Sequence, residues 1–302
     1  MTNAPITFYR TGTTKRRTAD ETAQLEQQIL DVLVACKQSV RHVFYRMTDT
    51  TMPVFVEKSE DGYRQVQHLT MKLRRNGRLP YGRLTDSSRR GYYVNTYRDT
   101  AEYIRAVASF YRADLWKDSD YYCEVWCESR SIAGVIEADC EDFAVSLFPA
   151  GGFSSVTFIY ESAVAINETV EKPVVIFYIG DYDPAGVLID KAIEREFRNH
   201  LNKSVDLTFQ RIAINAEQIK KYDLPAKPRK KKDLRSRHIK GTVEAESLPA
   251  EILRGLLRVE IEALLPQGAL AIAKVAEQSE QQYLEMFAKR IEKRRRWDGP
   301  GT

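Results

Sequence analysis

A continuous apolar segment followed by an acidic turn constrains the fold of this chain more than any other feature. Residues Val174 to Ile179 read VVIFYI, and the sequence Gly-Asp-Tyr-Asp-Pro-Ala-Gly follows directly at 180–186. Six consecutive apolar residues rich in β-branched and aromatic types are typical of a strand buried on both faces of a parallel sheet. Asp183 and Pro184 suit a helix start, as N-cap and first helical residue. We therefore predict a strand–turn–helix unit of an α/β protein.

The second half of the chain repeats this alternation of strands and helices. We predict further strands at 121–127, 156–159 and 204–212. Helical spacing of apolar residues predicts helices at 132–141, 162–170 and 185–200. Such alternation is typical of a layered, Rossmann-like α/β sheet.

The sequence of the first half of the chain predicts a different, mainly helical domain. Helices are expected at 20–37, from Ser39 to about Asp49, and at 63–75, where the last helix is basic and a short extended stretch follows. This order is typical of a CAP-like winged helix-turn-helix, a common DNA-binding fold. The expected organisation is a flexible arm at 1–17, a winged-helix domain at 18–118, and a parallel-sheet domain with a helical C-terminal extension at 119–302.

Three acidic residues are expected to meet at one edge of the sheet. Asp181 and Asp183 follow the buried strand, and Glu128 ends the strand at 121–127. Ligands bind at the carboxyl ends of parallel strands, and carboxylate oxygens are the protein ligands that Mg²⁺ prefers. The sequence therefore predicts a magnesium site made of these three residues. A helix cap at Asp183 and a solvated acid at Glu128 remain alternatives, while Glu124, in mid-strand, is expected to pair with a basic residue.

Composition limits the classes to which this protein can belong. Hydrophobic residues make up 43% and charged residues 29%, as in globular proteins with a sizeable core. No run of about 18 apolar residues exists, so we expect no membrane span. The first residues lack an apolar signal core, and the four cysteines fit neither a zinc pattern nor a disulfide framework. We therefore expect a cytoplasmic protein with reduced thiols.

The glutamate that ends one strand and the Gly-Asp-Tyr-Asp-Pro-Ala-Gly turn that ends another resemble the Toprim domain of topoisomerases, primases and related nucleases. Residues 39–45, Ser-Val-Arg-His-Val-Phe-Tyr, narrow the match. Together these motifs resemble the A subunit of type IIB topoisomerases (topoisomerase VI) and the related meiotic double-strand-break proteins. The short length is similar to that of the stand-alone Mini-A relatives.

The resemblance implies a specific chemistry. Tyr45 would be the nucleophile that forms a 5′-phosphotyrosyl link on double-stranded DNA, with Mg²⁺ held by the Toprim acids. Arg41 lies four residues before Tyr45, on the same helical face, and would hold the phosphate or favour the phenolate. Glu128 would bind metal or act as general acid. Cleavage of two strands implies a homodimer in which, in the family, the tyrosine of one protomer meets the metal site of the other.

Several departures leave other functions open. Ser129-Arg130 stands where the family often has lysine after its glutamate, Phe44 precedes the tyrosine where the family often has a second tyrosine, and no ATP-binding motif is present. A separate ATPase partner therefore remains an open question. The alternatives are a Toprim nuclease that uses metal and water, and a DNA-binding module with a silent site. Tyr92, Tyr93 and Tyr97 are weaker candidates for the nucleophile.

Two basic segments, Lys227–Lys240 and Lys289–Arg296, suit contacts with DNA phosphates, although such runs are also typical of solvated surfaces. We predict that charge reversal within Lys227–Lys240 weakens DNA binding. It should also flatten the dependence of log K on log salt, by about 0.9 for each phosphate that the segment no longer neutralises. Titration of labelled duplex at several salt concentrations measures both effects. An unchanged affinity across the salt series would assign this segment to the solvated surface.

Overall fold

The computed structural model describes residues 17–85, 94–151, 156–228, 239 and 241–297. These residues form ten α-helices: α1 Ala19–Ala35, α2 Val40–Met47, α3 Glu60–Arg75, α4 Thr100–Ala108, α5 Arg130–Asp142, α6 Val156–Thr169, α7 Gly186–His200, α8 Ala216–Lys221, α9 Ala250–Glu262 and α10 Ala269–Trp297. They form eight strands: β1 Gln38–Ser39, β2 Leu84–Thr85, β3 Tyr122–Cys127, β4 Ser146–Pro149, β5 Val174–Ile179, β6 Leu207–Ala213, β7 Lys227–Pro228 and β8 Gly241–Thr242. Tyr92, Tyr93 and most of the basic run after Pro228 lie outside the described residues.

A four-stranded parallel sheet in the order β4-β3-β5-β6 confirms the predicted α/β class. The predicted strand at 174–179 is β5, whose six residues are all buried. One face of the sheet packs against α6 and α7 through a shared apolar cluster: Trp126, Ile176, Tyr178, Ile159, Ala163, Ile166, Ile189, Ile193 and Phe197. On the other face, α5 packs against β3 and β4. Burial on both faces explains the continuous apolar sequence of the central strand.

The predicted strand at 156–159 is wrong, because these residues begin α6. Although the sequence Val-Thr-Phe-Ile favours extended backbone, Ile159, Ala163 and Ile166 recur at helical spacing and bury one stripe against the sheet. The fourth strand is instead β4, which the sequence did not reveal. It is a short edge strand that ends in proline and is not fully buried, so it lacks the apolar run of a central strand.

Glu124 also differs from its expected role. It is 2% exposed, and neutral donors take the place of the expected basic partner. Its carboxylate accepts hydrogen bonds from Tyr122 Oη at 2.9 Å, Trp126 Nε1 at 2.8 Å and Ser162 Oγ at 3.0 Å. Burial raises the pKa of Glu124 against the effect of these donors. Three neutral donors therefore satisfy this acid inside the core.

Before the large sheet, helices α1, α2 and α3 pack around one apolar core. Residues of this core that are at most 1% exposed include Leu25, Ile29, Leu33, Val43, Met47 and Leu73. Ser39 caps α2 and Ser59 caps α3, each by accepting a backbone amide in the first turn. The short strands β1 and β2 pair in parallel beside these helices. The assignment of this region as a winged helix stays a prediction.

The chain divides into two compact units, of which one contains residues up to 89 and residues 121–260. The other contains residues 90–120 and 261–302. Within this second unit, α4 and α10 pack together, Arg105 pairs with Glu292, and the Ala113 amide donates to Glu277 at 3.1 Å. The predicted domain boundary between 118 and 119 remains a prediction. No described helix is long and apolar enough to cross a membrane.

A buried ion pair fastens α5 to α9 inside the first unit. Asp139 is fully buried, and its carboxylate accepts hydrogen bonds from Arg254 Nε at 2.5 Å and Arg258 Nη1 at 2.7 Å. Both arginines are partly exposed, so the aspartate is the desolvated member of the group. Its charge is tolerated because two guanidinium groups surround it.

We predict that Asp139→Asn lowers the free energy of unfolding by about 1–3 kcal/mol, because two charge-assisted hydrogen bonds are weakened. Urea unfolding followed by circular dichroism measures the change. Asp142→Asn is the matched control, since Asp142 lies on the same helix, is exposed, and approaches Arg258 only to 3.7 Å. Equal effects of the two substitutions would contradict the proposed importance of the buried pair.

Candidate functional site

The Gly-Asp-Tyr-Asp-Pro-Ala-Gly turn forms the floor of the candidate site, between β5 and α7. Asp181 Oδ1 accepts the Ala245 amide at 2.8 Å. Asp183 Oδ1 accepts the amides of Ala185 and Gly186 at 2.8 and 2.5 Å, just before α7 begins. The N-cap of α7 is Ala185 and the helix begins at Gly186, so Asp183 and Pro184 are not the N-cap and first helical residue, although Asp183 Oδ1 accepts two amides at this helix start.

Two glycines allow the turn to close. A Cβ atom at Gly180 would lie 2.8 Å from Glu128 Oε2, and one at Gly186 would overlap the Asp181 carbonyl oxygen. The second clash is with backbone, which cannot rotate away. Gly186 therefore requires glycine because the chain passes itself there, whereas at Gly180 the side chains of Tyr178 and Glu128 would have to shift.

Glu128 lies at the same sheet edge as this turn, as the sequence predicted. It follows β3, which pairs in parallel with β5. Its Oε2 accepts the Asp181 amide at 2.8 Å. Burial raises the pKa of Glu128, and the negative charge of Asp183 raises it further. The hydrogen bond from the Asp181 amide acts in the opposite direction. Burial and the charges of Glu128 and Glu246 raise the pKa of Asp181 to about 8. The acids thus repel each other in a partly desolvated site.

The donor chemistry of this edge fits Mg²⁺. Glu128, Asp181 and Asp183 each commit one carboxylate oxygen to a backbone amide, and the second oxygen of each is the atom that a cation would take. Hard oxygen donors with unbalanced negative charge are the ligands of such an ion. Within the described ranges, however, no three acidic, histidine or cysteine side chains are already gathered into a metal-holding group.

Arg211 on β6 holds the turn in place, a role that no sequence pattern indicated in advance. Its Nε pairs with Asp190 at 2.6 Å, Nη1 donates to Gly180 O at 2.9 Å, and Nη2 donates to Gly186 O at 2.7 Å. Its guanidinium also lies 5.1 Å from the centre of the Tyr178 ring. The strand also contains Thr208 and Gln210, so no sequence signal set Arg211 apart.

The segment Val243–Ser247, here named the bridging segment, also escaped prediction. Val243 and Tyr182 exchange two backbone hydrogen bonds, of 2.9 and 3.0 Å. Ser129 Oγ donates to Glu246 Oε1 at 3.3 Å, and Glu246 is 4% exposed. Two acids in a polar stretch far along the chain from the turn gave no spacing signal. The segment nevertheless adds a fourth carboxylate to the site, and this one is buried.

Tyr45 and Arg41 meet the bridging segment from α2. Tyr45 is 5% exposed, and its hydroxyl hydrogen bonds to the Glu244 carboxylate. Arg41 Nη1 lies 3.3 Å from Glu244 Oε2, and Lys58 Nζ lies 4.8 Å from the Tyr45 ring centre. Burial and the negative charge of Glu244 raise the pKa of Tyr45 well above its ordinary value. The phenol is therefore neutral in this arrangement.

No protein-family model matches this chain, and no curated protein matches it significantly. The geometry of the site is therefore the basis for assigning a function. Its main elements are a tyrosine, an arginine, and a set of acids joined to them by the bridging segment.

A buried histidine fixes the start of α2. His42 is 1% exposed, its Nδ1 lies 2.9 Å from Ser39 Oγ, and Ser131 Oγ on α5 donates to Ser39 Oγ at 2.8 Å. Among the described residues, His42 Nε2 has no hydrogen-bond partner. Burial lowers the pKa of His42 from 6.5 to about 3, so the ring is neutral at physiological pH.

We predict that His42 makes the protein acid-sensitive. Between about pH 6.5 and pH 3 the unfolded chain binds a proton at His42 that the folded chain excludes, so stability falls as pH falls. His42→Asn should flatten this slope by up to about 1.4 kcal/mol per pH unit. Chemical unfolding between pH 4 and 8 measures it, with the exposed His68→Asn as control. A slope unaltered by His42→Asn would show that other groups cause the acid sensitivity.

Proposed function

We propose that this protein cleaves and reseals double-stranded DNA by Mg²⁺-dependent tyrosine transesterification, in the manner of a type IIB topoisomerase A subunit. One observation carries the proposal. The bridging segment contacts both the Tyr45 hydroxyl, through Glu244, and the Asp181 carboxylate, through the Ala245 amide. The motif that resembles the nucleophile and the motif that resembles the metal site are therefore linked within one chain, whereas the resemblance implies that the tyrosine of one protomer reacts at the metal site of its partner.

We further propose that the fold combines a winged helix with a Toprim domain. The order α1-β1-α2-α3-β2 supports the first assignment, since a basic third helix precedes the returning strand. Support for the second comes from the parallel sheet, whose central strands β3 and β5 end in Glu128 and the acidic turn. The placement of ligand residues at the carboxyl ends of parallel strands agrees with this assignment.

In the proposed reaction, Tyr45 Oη attacks a backbone phosphorus atom while the bond to the 3′ oxygen breaks. Glu128, Asp181 and Asp183 would hold Mg²⁺, which when bound supplies positive charge for the phosphate. Arg41, half exposed beside Tyr45, would orient a phosphate oxygen. Alternatively, if Asp181 and Asp183 alone held the cation, a protonated Glu128 would act as general acid on the leaving oxygen. The covalent link conserves the energy of the broken bond, so resealing needs no added energy source.

Double-strand cleavage requires two tyrosines and therefore a homodimer under this proposal. Tyr45 contacts groups of its own chain, Glu244 and Lys58. Strand passage driven by ATP would need a separate ATPase partner.

A metal-dependent nuclease that uses water is the second candidate, and one observation favours it. Tyr45 is buried and its pKa is raised, which makes it a poor nucleophile in this arrangement. The acids of the sheet edge would serve a nuclease without any contribution from Tyr45.

We expect that the full-length protein with Mg²⁺ traps plasmid DNA as a protein-linked, cleaved product after detergent quenching. Tyr45→Phe should reduce this product by about 10³-fold or more, because the attacking atom is removed. Asp181→Ala and chelation of Mg²⁺ should reduce it similarly. Tyr97→Phe is the control, since this tyrosine packs against Tyr103.

Gels run with and without protease distinguish the two candidates. Protein-linked ends that depend on Tyr45 support the transesterase. Free ends that persist in Tyr45→Phe and vanish in Asp181→Ala would replace it with the nuclease. DNA that is bound without being cut, in the presence of Mg²⁺, would contradict both.

A further inference from the structure

We propose that Glu244 is the general base that accepts the Tyr45 phenol proton, a role that rests on the function proposed above. Glu244 hydrogen bonds to the atom that would react, and its own position is fixed by backbone contacts with the acidic turn. Neither of the sequence motifs contains this residue.

Backbone contacts on both sides position Glu244. Val243, the preceding residue, pairs with Tyr182 by two hydrogen bonds, and the following residue, Ala245, donates its amide to Asp181 Oδ1 at 2.8 Å. A residue anchored in this way cannot move without moving the turn. The carboxylate is consequently held between α2 and the sheet edge, where proton transfer requires a positioned acceptor.

Cations keep the Glu244 carboxylate ionised and therefore able to accept a proton. Arg41 Nη1 lies 3.3 Å from Oε2, and Lys227 Nζ lies 3.0 Å from Oε1. Burial acts to raise the pKa of Glu244, but the hydrogen bonds of Tyr45 and Lys227 and the charge of Arg41 outweigh it and lower the pKa. The other charged groups that interact electrostatically with Glu244 are Lys58, Asp181 and Glu246.

The other basic groups near Tyr45 are less suited to this role. Lys58 Nζ lies 4.8 Å from the centre of the Tyr45 ring and donates a hydrogen bond to the Pro225 carbonyl at 2.5 Å. It therefore contacts the face of the Tyr45 ring and not the Tyr45 hydroxyl. Arg41 is protonated at all relevant pH values. His42 engages Ser39 through Nδ1 on the buried side of α2.

Each bond that breaks in the proposed step is matched by one that forms. The Tyr45 Oη–H bond breaks and its proton moves to a Glu244 oxygen, while the oxygen lone pair forms the new bond to phosphorus. The bond between phosphorus and the 3′ oxygen breaks, and that oxygen takes a proton from solvent water. Resealing reverses each transfer, with Glu244 returning the proton to the phenol.

The test is the single-turnover rate of Tyr45–DNA adduct formation, measured between pH 6 and pH 9 with Mg²⁺. Glu244→Gln preserves shape and polarity but cannot accept the proton. We expect a loss of about 10²–10⁴-fold. The rate should then rise with pH more steeply than in the wild type, because solvent hydroxide must remove the proton. Glu244→Asp, which keeps a carboxylate, should recover part of the rate.

A matched control variant, together with the possible results, separates the proposed role of Glu244 from the proposed transesterase activity. Glu217→Gln, an exposed acid on α8, should leave rate and pH profile unchanged. An unchanged pH profile in Glu244→Gln, whatever its rate, overturns the assignment of the base while the transesterase stands. Absence of any Tyr45-linked adduct from the wild type overturns the proposed function and the role of Glu244 with it. Circular dichroism confirms folding, and Glu244→Asp carries the test if Glu244→Gln is unfolded.

Discussion

The parallel pairing of β3 with β5 is the interaction on which the rest of the site depends. Their register places Cys127 opposite Ile179, so the next residues of both strands leave the sheet at the same edge. The Glu128 carboxylate then accepts a hydrogen bond from the Asp181 amide at 2.8 Å. Because a shift of register by one residue would reverse the faces of every side chain, the buried apolar residues of both strands also fix the position of the acids.

Charge is the second constraint on this molecule. Four acids, Glu128, Asp181, Asp183 and Glu246, lie at the sheet edge. Burial and the negative charges of neighbouring acids raise the pKa of Glu128, Asp181 and Glu246. Arg211 offsets part of this repulsion and ties the turn to β6. An oxygen-seeking divalent cation is the ligand that such a concentration of negative charge would favour most.

The bridging segment connects the acidic turn to α2. Its residues contact Tyr182, Asp181 and Ser129 on one side and, through Glu244, Tyr45 and Arg41 on the other. Tyr45 is thereby held neutral and shielded from solvent. In the proposed reaction a buried phenol of this kind would need a positioned proton acceptor, which is the role proposed for Glu244.

The sequence by itself determined the α/β class, the full extent of β5, and the convergence of Glu128 with the acidic turn. These features follow from local patterns: an apolar run buried on both faces, and acids at the ends of adjacent parallel strands. Only the tertiary structure decided the roles of Glu124, Arg211 and Glu244. The partners of Arg211 and Glu244 lie on other segments, which local spacing does not encode. Glu124 bonds to its strand neighbours Tyr122 and Trp126, but its third donor, Ser162, comes from α6. The helix at 156–169 shows the same limit, because packing against the sheet outweighed its local preference for extended backbone.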